Sequence, residues 1–292
     1  MIRSHAKINL GLYITGKRSN GYHELCSAFL PIELHDKIEI NKADKFCITA
    51  TGPFADVCPT DEKNTMFKAY SKLKSIMSTK GVELSPVEIS IQKNIPSEAG
   101  LGGGSSNAAA VLKGLNTLFS LGLDSEELRG VGAQIGADVP FFIDEQPALV
   151  EGVGELISPF KLERNYWILL IKPTKGVSTA DVYKQFTLSL TLKNSNVKHT
   201  EHLRNLCFQG LKKAEELKTL YNDLESISVK ILPEISAIKA YLEALSPLVT
   251  MMSGSGSSVF AVFDSEPAVD GPKDKDWFFC KTKVKRGHYG HH

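Results

Sequence analysis

Apolar and polar positions alternate in "AKINLGLYI", residues 6–14, where Ile8, Leu10, Leu12 and Ile14 fall on one face and Lys7, Asn9, Gly11 and Tyr13 on the other. A period of two predicts a β-strand with one face in a core and the other open to a ligand. Further strands are predicted at "DKIEI", "FCITA" and "VEISIQK", the last alternating Val87, Ile89 and Ile91. The period then changes. Over 64–79, Phe67, Tyr70, Leu73 and Met77 recur at helical spacing, and a second helix starting near Ser105 carries Ala108, Val111, Leu112, Leu115, Leu118 and Phe119. A third is expected from Asp124, with Glu127 as its capping-box partner and Gly136 as its left-handed end.

Around residue 150 the pattern shifts to turn-rich "EGVGELISPF" and then to "YWILLIKP", an apolar run short enough to be a buried strand. We place a domain boundary there, giving expected domains of 1–152 and 153–292. Beyond it lie a polar stretch over 187–200, helical patterns near 202–217 and 226–245, and a Gly/Ser loop, "SGSGSS", running into an alternating strand with Val259, Ala261 and Phe263. "WFFCKTKVKR" reads as a last strand, and the tail from about residue 286 is expected to be disordered. No repeat of 20 to 50 residues is evident, which excludes a solenoid.

Composition changes this picture little. The 292 residues, 42% of them hydrophobic, suffice for two cores. Thirty-four basic and thirty-three acidic side chains leave a net charge of +1, so no surplus advertises a nucleic acid or an anionic membrane. The five cysteines, Cys26, Cys47, Cys58, Cys207 and Cys280, are scattered without a C-x-x-C pair and are expected to be buried free thiols in a reducing compartment. No eighteen apolar residues run together and no signal peptide is recognisable, so the expected location is the cytoplasm.

The stretch "AGLGGGSSNAAA", residues 99–110, places four glycines in five positions between a predicted strand and a predicted helix. Unpaired amides and the positive dipole end of a helix attract anions, and glycine lets backbone approach phosphate oxygens. Ser105 and Ser106 add hydroxyl donors or a magnesium ligand. The loop lacks the Gly-Lys-Ser/Thr ending of a P-loop and lies too far from the first strand for a dinucleotide fingerprint. A plain connecting turn is the alternative. Phosphoryl transfer would also need a proton acceptor and a cation. Asp138 in "GADVP" and Lys7 on the ligand-facing side of the first strand are candidates, against readings as a turn residue and an exposed lysine. In "RSNGYHEL", Tyr22 could stack on a nucleobase while His23 bonds its edge, or both could belong to a core. The "GHYGHH" tail has the spacing to catch a metal, but a frayed terminus is the preferred reading.

Taken together, "AKINLGLYITGKRSNGYHEL", "PSEAGLGGGSSNAA", "GADVPFF" and "SGSGSSVFAVF" resemble, in order and spacing, the GHMP kinase superfamily. The resemblance is dense to residue 155 and thinner to about 265. It implies an α+β fold of two domains, the first like domain 2 of ribosomal protein S5 and the second an α/β substrate domain, with the active site in the cleft between them. It implies an ATP-dependent kinase using Mg2+ and acting on an alcohol. "GYHEL" and the extended glycine run point to the branch phosphorylating the 2-hydroxyl of CDP-methylerythritol in the non-mevalonate isoprenoid route.

By position the resemblance makes Asp138 the catalytic base and Lys7 the lysine that stabilises transferred charge. It assigns Pro96, Ser97, Glu98, Ala99, Gly100, Leu101, Gly102, Gly103, Gly104, Ser105 and Ser106 to ATP, with Asn64 and Lys93 as further nucleotide contacts. Asn9, Tyr22, His23 and Tyr183 fall to the substrate. Metal ligands are unassigned. Glu98 is a departure: a carboxylate in a phosphate loop repels ATP unless it turns away or helps hold magnesium. The expected partner is a small molecule, with no nucleic acid and no membrane, for a monomer or homodimer. A kinase for homoserine or mevalonate, and a nucleotide-sensing module without chemistry, are the alternatives.

Overall fold

The computed structural model describes residues 1–189, 196–272 and 275–285. The expected disordered tail and part of the polar stretch over 187–200 lie outside them. Strands β1 (Ile2–Lys17) and β2 (His23–Lys42) are much longer than the alternating segments that predicted them, and they pair with each other. From Ser4 to Ile14 every residue of β1 is buried. The polar face of this strand is therefore shielded from solvent: alternation distinguishes apolar from polar faces but does not tell solvent from a polar interior.

Contacts divide the chain into two compact units that interleave in sequence, one comprising 1–6, 34–97 and 102–145 and the other 7–33, 98–101 and 146–292. This differs from the single boundary expected at residue 152, because β1, β2 and the glycine loop each contribute residues to both units.

In the first unit, β3 (Cys47–Thr51) runs parallel to β4 (Val87–Gln92), and β4 pairs antiparallel with the second half of β2, Ile38 opposite Ile91. Helix α1 (Thr65–Thr79) starts where expected, with Asn64 Oδ1 accepting the Met66 amide as N-cap. Helix α2 (Gly103–Leu118) packs on it and buries Ala108, Val111, Leu112 and Leu115. A Cβ at Gly114 would stand 2.6 Å from Ile40 and 2.7 Å from Ile2, so the helix presses its backbone onto the sheet there. Helix α3 (Ser125–Ala133) has the expected capping box of Asp124 and Glu127. It ends at Gln134 with ordinary helical angles, so Gly136 is not its cap. The segment read as a turn after it is helix α4 (Val139–Asp144), which tolerates Pro140 because the first turn needs no amide from it.

In the second unit, the first half of β2 pairs antiparallel with β5 (Ala148–Gly152), and β5 with β6 (Leu156–Pro159). The turn-rich segment near residue 150 is thus a hairpin. A second sheet has the order β10-β7-β9-β8, all neighbours antiparallel, from β7 (Trp167–Lys172), β8 (Val249–Met252), β9 (Val259–Phe263) and β10 (Phe278–Lys283). Helices α5 (Thr179–Ser189), α6 (Asn196–Phe208), α7 (Ala214–Leu217), α8 (Glu225–Ile231) and α9 (Glu234–Glu243) complete it. One helical pattern was expected over 226–245; Pro233 divides it into α8 and α9. The core joins Leu12 and Ile14 to Leu169, Ile171, Val182, Ile235, Ile238, Met252 and Val259.

Of the five thiols, Cys26 and Cys207 are buried as expected, but Cys47 is exposed and Cys58 and Cys280 are half-buried; all are free. Among the described residues, no helix is long and apolar enough to cross a membrane, and no cluster of three His, Cys, Asp or Glu could hold a metal.

Candidate active site

The glycine run begins its helix two residues earlier than the serines suggested. Gly102 is the N-cap of α2 in the left-handed region, φ +67°, and gives the helix no side-chain cap. The first helical hydrogen bond is from the Ser106 amide to the Gly102 carbonyl. The amides of Gly103, Gly104 and Ser105 therefore precede the ladder, at the positive end of a sixteen-residue helix with no acidic residue in its first turn. Gly104 is exposed and Gly103 and Ser105 are half-buried, which leaves room for an anion.

Ser106 is buried and tied to β1. Its Oγ lies 2.7 Å from Ser4 Oγ, and the Ser4 hydroxyl donates to Asn107 Oδ1, also at 2.7 Å. With the Ser4 proton so committed, the Ser106 hydroxyl must donate to Ser4 and keeps only lone pairs to offer elsewhere.

Lys93 does not extend toward open space. Its ammonium is buried against Asp36 Oδ2 at 2.6 Å and donates to the Ile95 carbonyl at 2.7 Å, while Asp36 Oδ1 accepts the Asn94 and Ile95 amides. A Cβ on Gly103 would stand 3.4 Å from Lys93 Nζ and 2.9 Å from Ile95. This ion pair fixes the chain between β4 and the loop beneath the start of α2. Asn64, besides capping α1, donates to Pro59 O at 2.5 Å, and its neighbour Thr65 donates from Oγ1 to the Gly104 carbonyl at 2.6 Å. Asp138 stands at the N-cap of α4 without a capping bond from its carboxylate, and Gly136 brings its backbone near Ser105 Oγ, 3.9 Å from where a Cβ would be.

In the second unit, residues 98–101 of the same loop meet the second Gly/Ser loop, about 150 residues on. Ser253 Oγ donates to Gly100 O at 2.9 Å, and the amides of Ser257 and Ser258 reach Glu98 O and Ala99 O at 3.4 and 3.3 Å. Gly100 has φ +71°, and a Cβ there would stand 1.9 Å from the Ser253 carbonyl oxygen. Only glycine fits. The second loop is itself held by Asn222, whose Nδ2 donates to Met252 O and Gly254 O.

Lys7 donates its backbone amide to Leu101 O at 3.0 Å, its ammonium bonds Asn9 Oδ1, and it lies 4.6 Å over the Phe29 ring. Asn9 in turn donates from Nδ2 to Ser27 Oγ at 3.0 Å and receives support from Ser253 Oγ at its amide. Both side chains are buried, 3% and 1% exposed, not displayed on an open strand face. Glu98, at φ +49°, sets its carboxylate over Gly176, 2.5 Å from where a Cβ would be. Burial lowers the pKa of Lys172, and the charges of Glu98 and Glu234 oppose that fall. The carboxylate thus has a basic neighbour on its own unit.

Tyr22 is 62% exposed at the turn before β2. His23 lies 5.1 Å from the Tyr183 ring and 6.1 Å from Phe186, with Nε2 2.8 Å from Thr187 Oγ1. Burial, and secondarily Lys17, lowers its pKa below the usual 6.5, which favours neutral imidazole at pH 7. Tyr183, which the resemblance named, stands beside His23; Thr187, Asp36, Ser4, Asn107 and Asn222 were not among the expected site residues. All five act through partners distant in the chain or through ordinary polar types that carry no motif. The "SGSGSS" run was visible; what it touches was not.

The chain matches the family models of the GHMP kinases N terminal domain over residues 64–146 and the GHMP kinases C terminal over residues 203–271. A 4-diphosphocytidyl-2-C-methyl-D-erythritol kinase of Clostridioides difficile is 40% identical over 275 residues, covering 94% of this chain and 90% of that protein. One of Carboxydothermus hydrogenoformans is 41% identical over 266 residues, covering 91% and 88%. A crystal structure of 4-(cytidine 5'-diphospho)-2C-methyl-D-erythritol kinase superposes with a TM-score of 0.71 at 27% identity, over 97% of this chain and 99% of that one. The Methanococcus jannaschii mevalonate kinase, with a TM-score of 0.73 at 14% identity over 98% of each chain, shows likeness of fold alone.

Proposed function

The chain belongs to the GHMP kinases, and from that premise we propose that it transfers the γ-phosphoryl group of ATP to the 2-hydroxyl of 4-diphosphocytidyl-2-C-methyl-D-erythritol, a step of the non-mevalonate route to isoprenoid precursors. The carrying observation is relatedness of about 40% across nine-tenths of the chain to kinases named for that substrate.

The triphosphate is received by the amides of Gly103, Gly104 and Ser105 at the start of α2, with Pro96 to Leu101 leading the chain to it; the exposure of Gly104, the partial exposure of Gly103 and Ser105, and the lack of a side-chain cap support this. Asn64 and Lys93 shape the approach, Lys93 through the buried pair with Asp36 instead of by direct contact. Mg2+, when bound, would supply positive charge to offset that of the phosphates. Ser106 suits it, since its proton is given to Ser4 and its oxygen has only lone pairs to offer.

Asp138, at the N-cap of α4, takes the proton of the attacking hydroxyl. Lys7, held by Asn9, stabilises the phosphoryl charge, a task that a desolvated ammonium performs better than one in water. Asn9 and the ring group of Tyr22, His23 and Tyr183 hold the substrate, His23 and Tyr183 being already side by side. The even balance of charge supports a small-molecule enzyme without a nucleic-acid partner. A coupled ADP-release assay against this alcohol, homoserine and mevalonate tests the reading. Release with the cytidine compound alone is expected; release with either other alcohol instead overturns it.

A further inference from the structure

Thr187 makes two hydrogen bonds with one hydroxyl. Its Oγ1 is 2.9 Å from the carbonyl oxygen of Tyr183, one turn back in α5, and 2.8 Å from His23 Nε2. A carbonyl can only accept, so the single hydroxyl proton points at Tyr183. Toward His23 the threonine has only lone pairs. Nε2 must then carry hydrogen, and in a neutral imidazole Nδ1 is left as an acceptor. Nδ1 has no bond to any of the described residues, and the ring is flanked by Tyr183 and Phe186.

We infer that Thr187 is a positioning residue for base selection: by fixing the tautomer of His23 it presents Nδ1 as a lone-pair acceptor, which favours a pyrimidine bearing an amino group over one bearing a carbonyl at the same place. This rests on the proposed cytidine substrate and adds the residue that makes the choice. An acceptor facing an N–H gains a hydrogen bond; facing a carbonyl it leaves two acceptors opposed and both unsatisfied, the asymmetry by which polar sites discriminate strongly. Without Thr187 the imidazole can exchange tautomers, present N–H at Nδ1 and accept the carbonyl base as well. The lowered pKa of His23 keeps the neutral form on which the argument depends.

The test uses CDP and UDP as competing ligands of the full chain, wild type, Thr187→Val and Thr187→Ser, with imidazole 15N spectra of the same proteins. Wild type should prefer CDP about tenfold or more, with His23 protonated at Nε2. Thr187→Val should bring the two ligands within about threefold and mix the tautomers, while Thr187→Ser restores both properties. The KM for ATP is the control for general damage, since a merely structural loss would move it too. An unchanged CDP preference in Thr187→Val, or a wild-type His23 protonated at Nδ1, overturns the inference. If wild type turns over the cytidine substrate while Thr187→Val keeps its preference, only the inference falls. If wild type releases no ADP with that substrate and binds both nucleotides equally, the substrate reading falls with it.

Discussion

The ammonium of Lys7 donates a hydrogen bond to Oδ1 of Asn9, two residues along the same strand, and both side chains are buried. Residues i and i+2 share a strand face, so this contact is built into the sequence spacing. Asn9 is in turn held from Nδ2 by Ser27, leaving the amide no freedom to swing away. Lys7→Met should keep the fold and lower kcat by about 10²- to 10³-fold, as loss of one charge-stabilising donor does, with ATP affinity little changed by equilibrium titration. Asn9→Ala should lower kcat less and raise the KM for the cytidine substrate. A Lys7→Met enzyme within threefold of wild type would remove the lysine from the mechanism.

The Asp36–Lys93 pair predicts a stability effect. Breaking a buried ion pair leaves an uncompensated charge and costs about 3–5 kcal/mol, so Asp36→Leu or Lys93→Met alone should shift the urea midpoint strongly downward. The double variant should recover part of the loss. Additive losses in the double variant would mean that the two side chains act independently.

Two glycines give opposite expectations. Gly100→Ala forces a Cβ onto Ser253 O at a positive φ, a conformation that costs an L-residue about 1–2 kcal/mol even without the collision; both stability and ATP affinity should fall. Gly130, inside α3, has open space where its Cβ would go. Gly130→Ala should stabilise by about 0.5–1 kcal/mol, read from the same urea titrations.

How far the sequence reached can be judged residue by residue. The period of 3.6 located α1 to its N-cap at Asn64, and the capping box at Asp124 is present as expected, because these signals are local. The site motifs were legible for the same reason: glycine runs and short strings survive as text. The polar burial of β1 was not legible, since Lys7 and Asn9 look solvent-facing until Ser27, Phe29 and Ser253 surround them from 18 to 244 residues away. Thr187 and Asp36 have no local signature at all; their roles are geometric.

His23 predicts a pH dependence. Its folded pKa lies below 6.5, so the unfolded chain binds the proton more readily, and this residue's contribution to stability is present above pH 6.5 and lost as pH falls toward the folded value. The groups about it are Thr187, Tyr183, Phe186 and the charge of Lys17. The same protonation removes the acceptor at Nδ1. The KM for the cytidine substrate should therefore rise on acidification below the folded pKa while the KM for ATP does not follow it. Parallel rises in both would place the titration elsewhere.

The most direct test is a 31P spectrum of the product made by wild type and by Asp138→Asn from ATP, Mg2+ and 4-diphosphocytidyl-2-C-methyl-D-erythritol. Wild type should give ADP and one new phosphomonoester on the 2-oxygen with the cytidine diphosphate intact; Asp138→Asn should give none while still binding ATP. A phosphoester on another oxygen, ADP with free phosphate only, or product formation by Asp138→Asn at a rate near wild type would contradict the account.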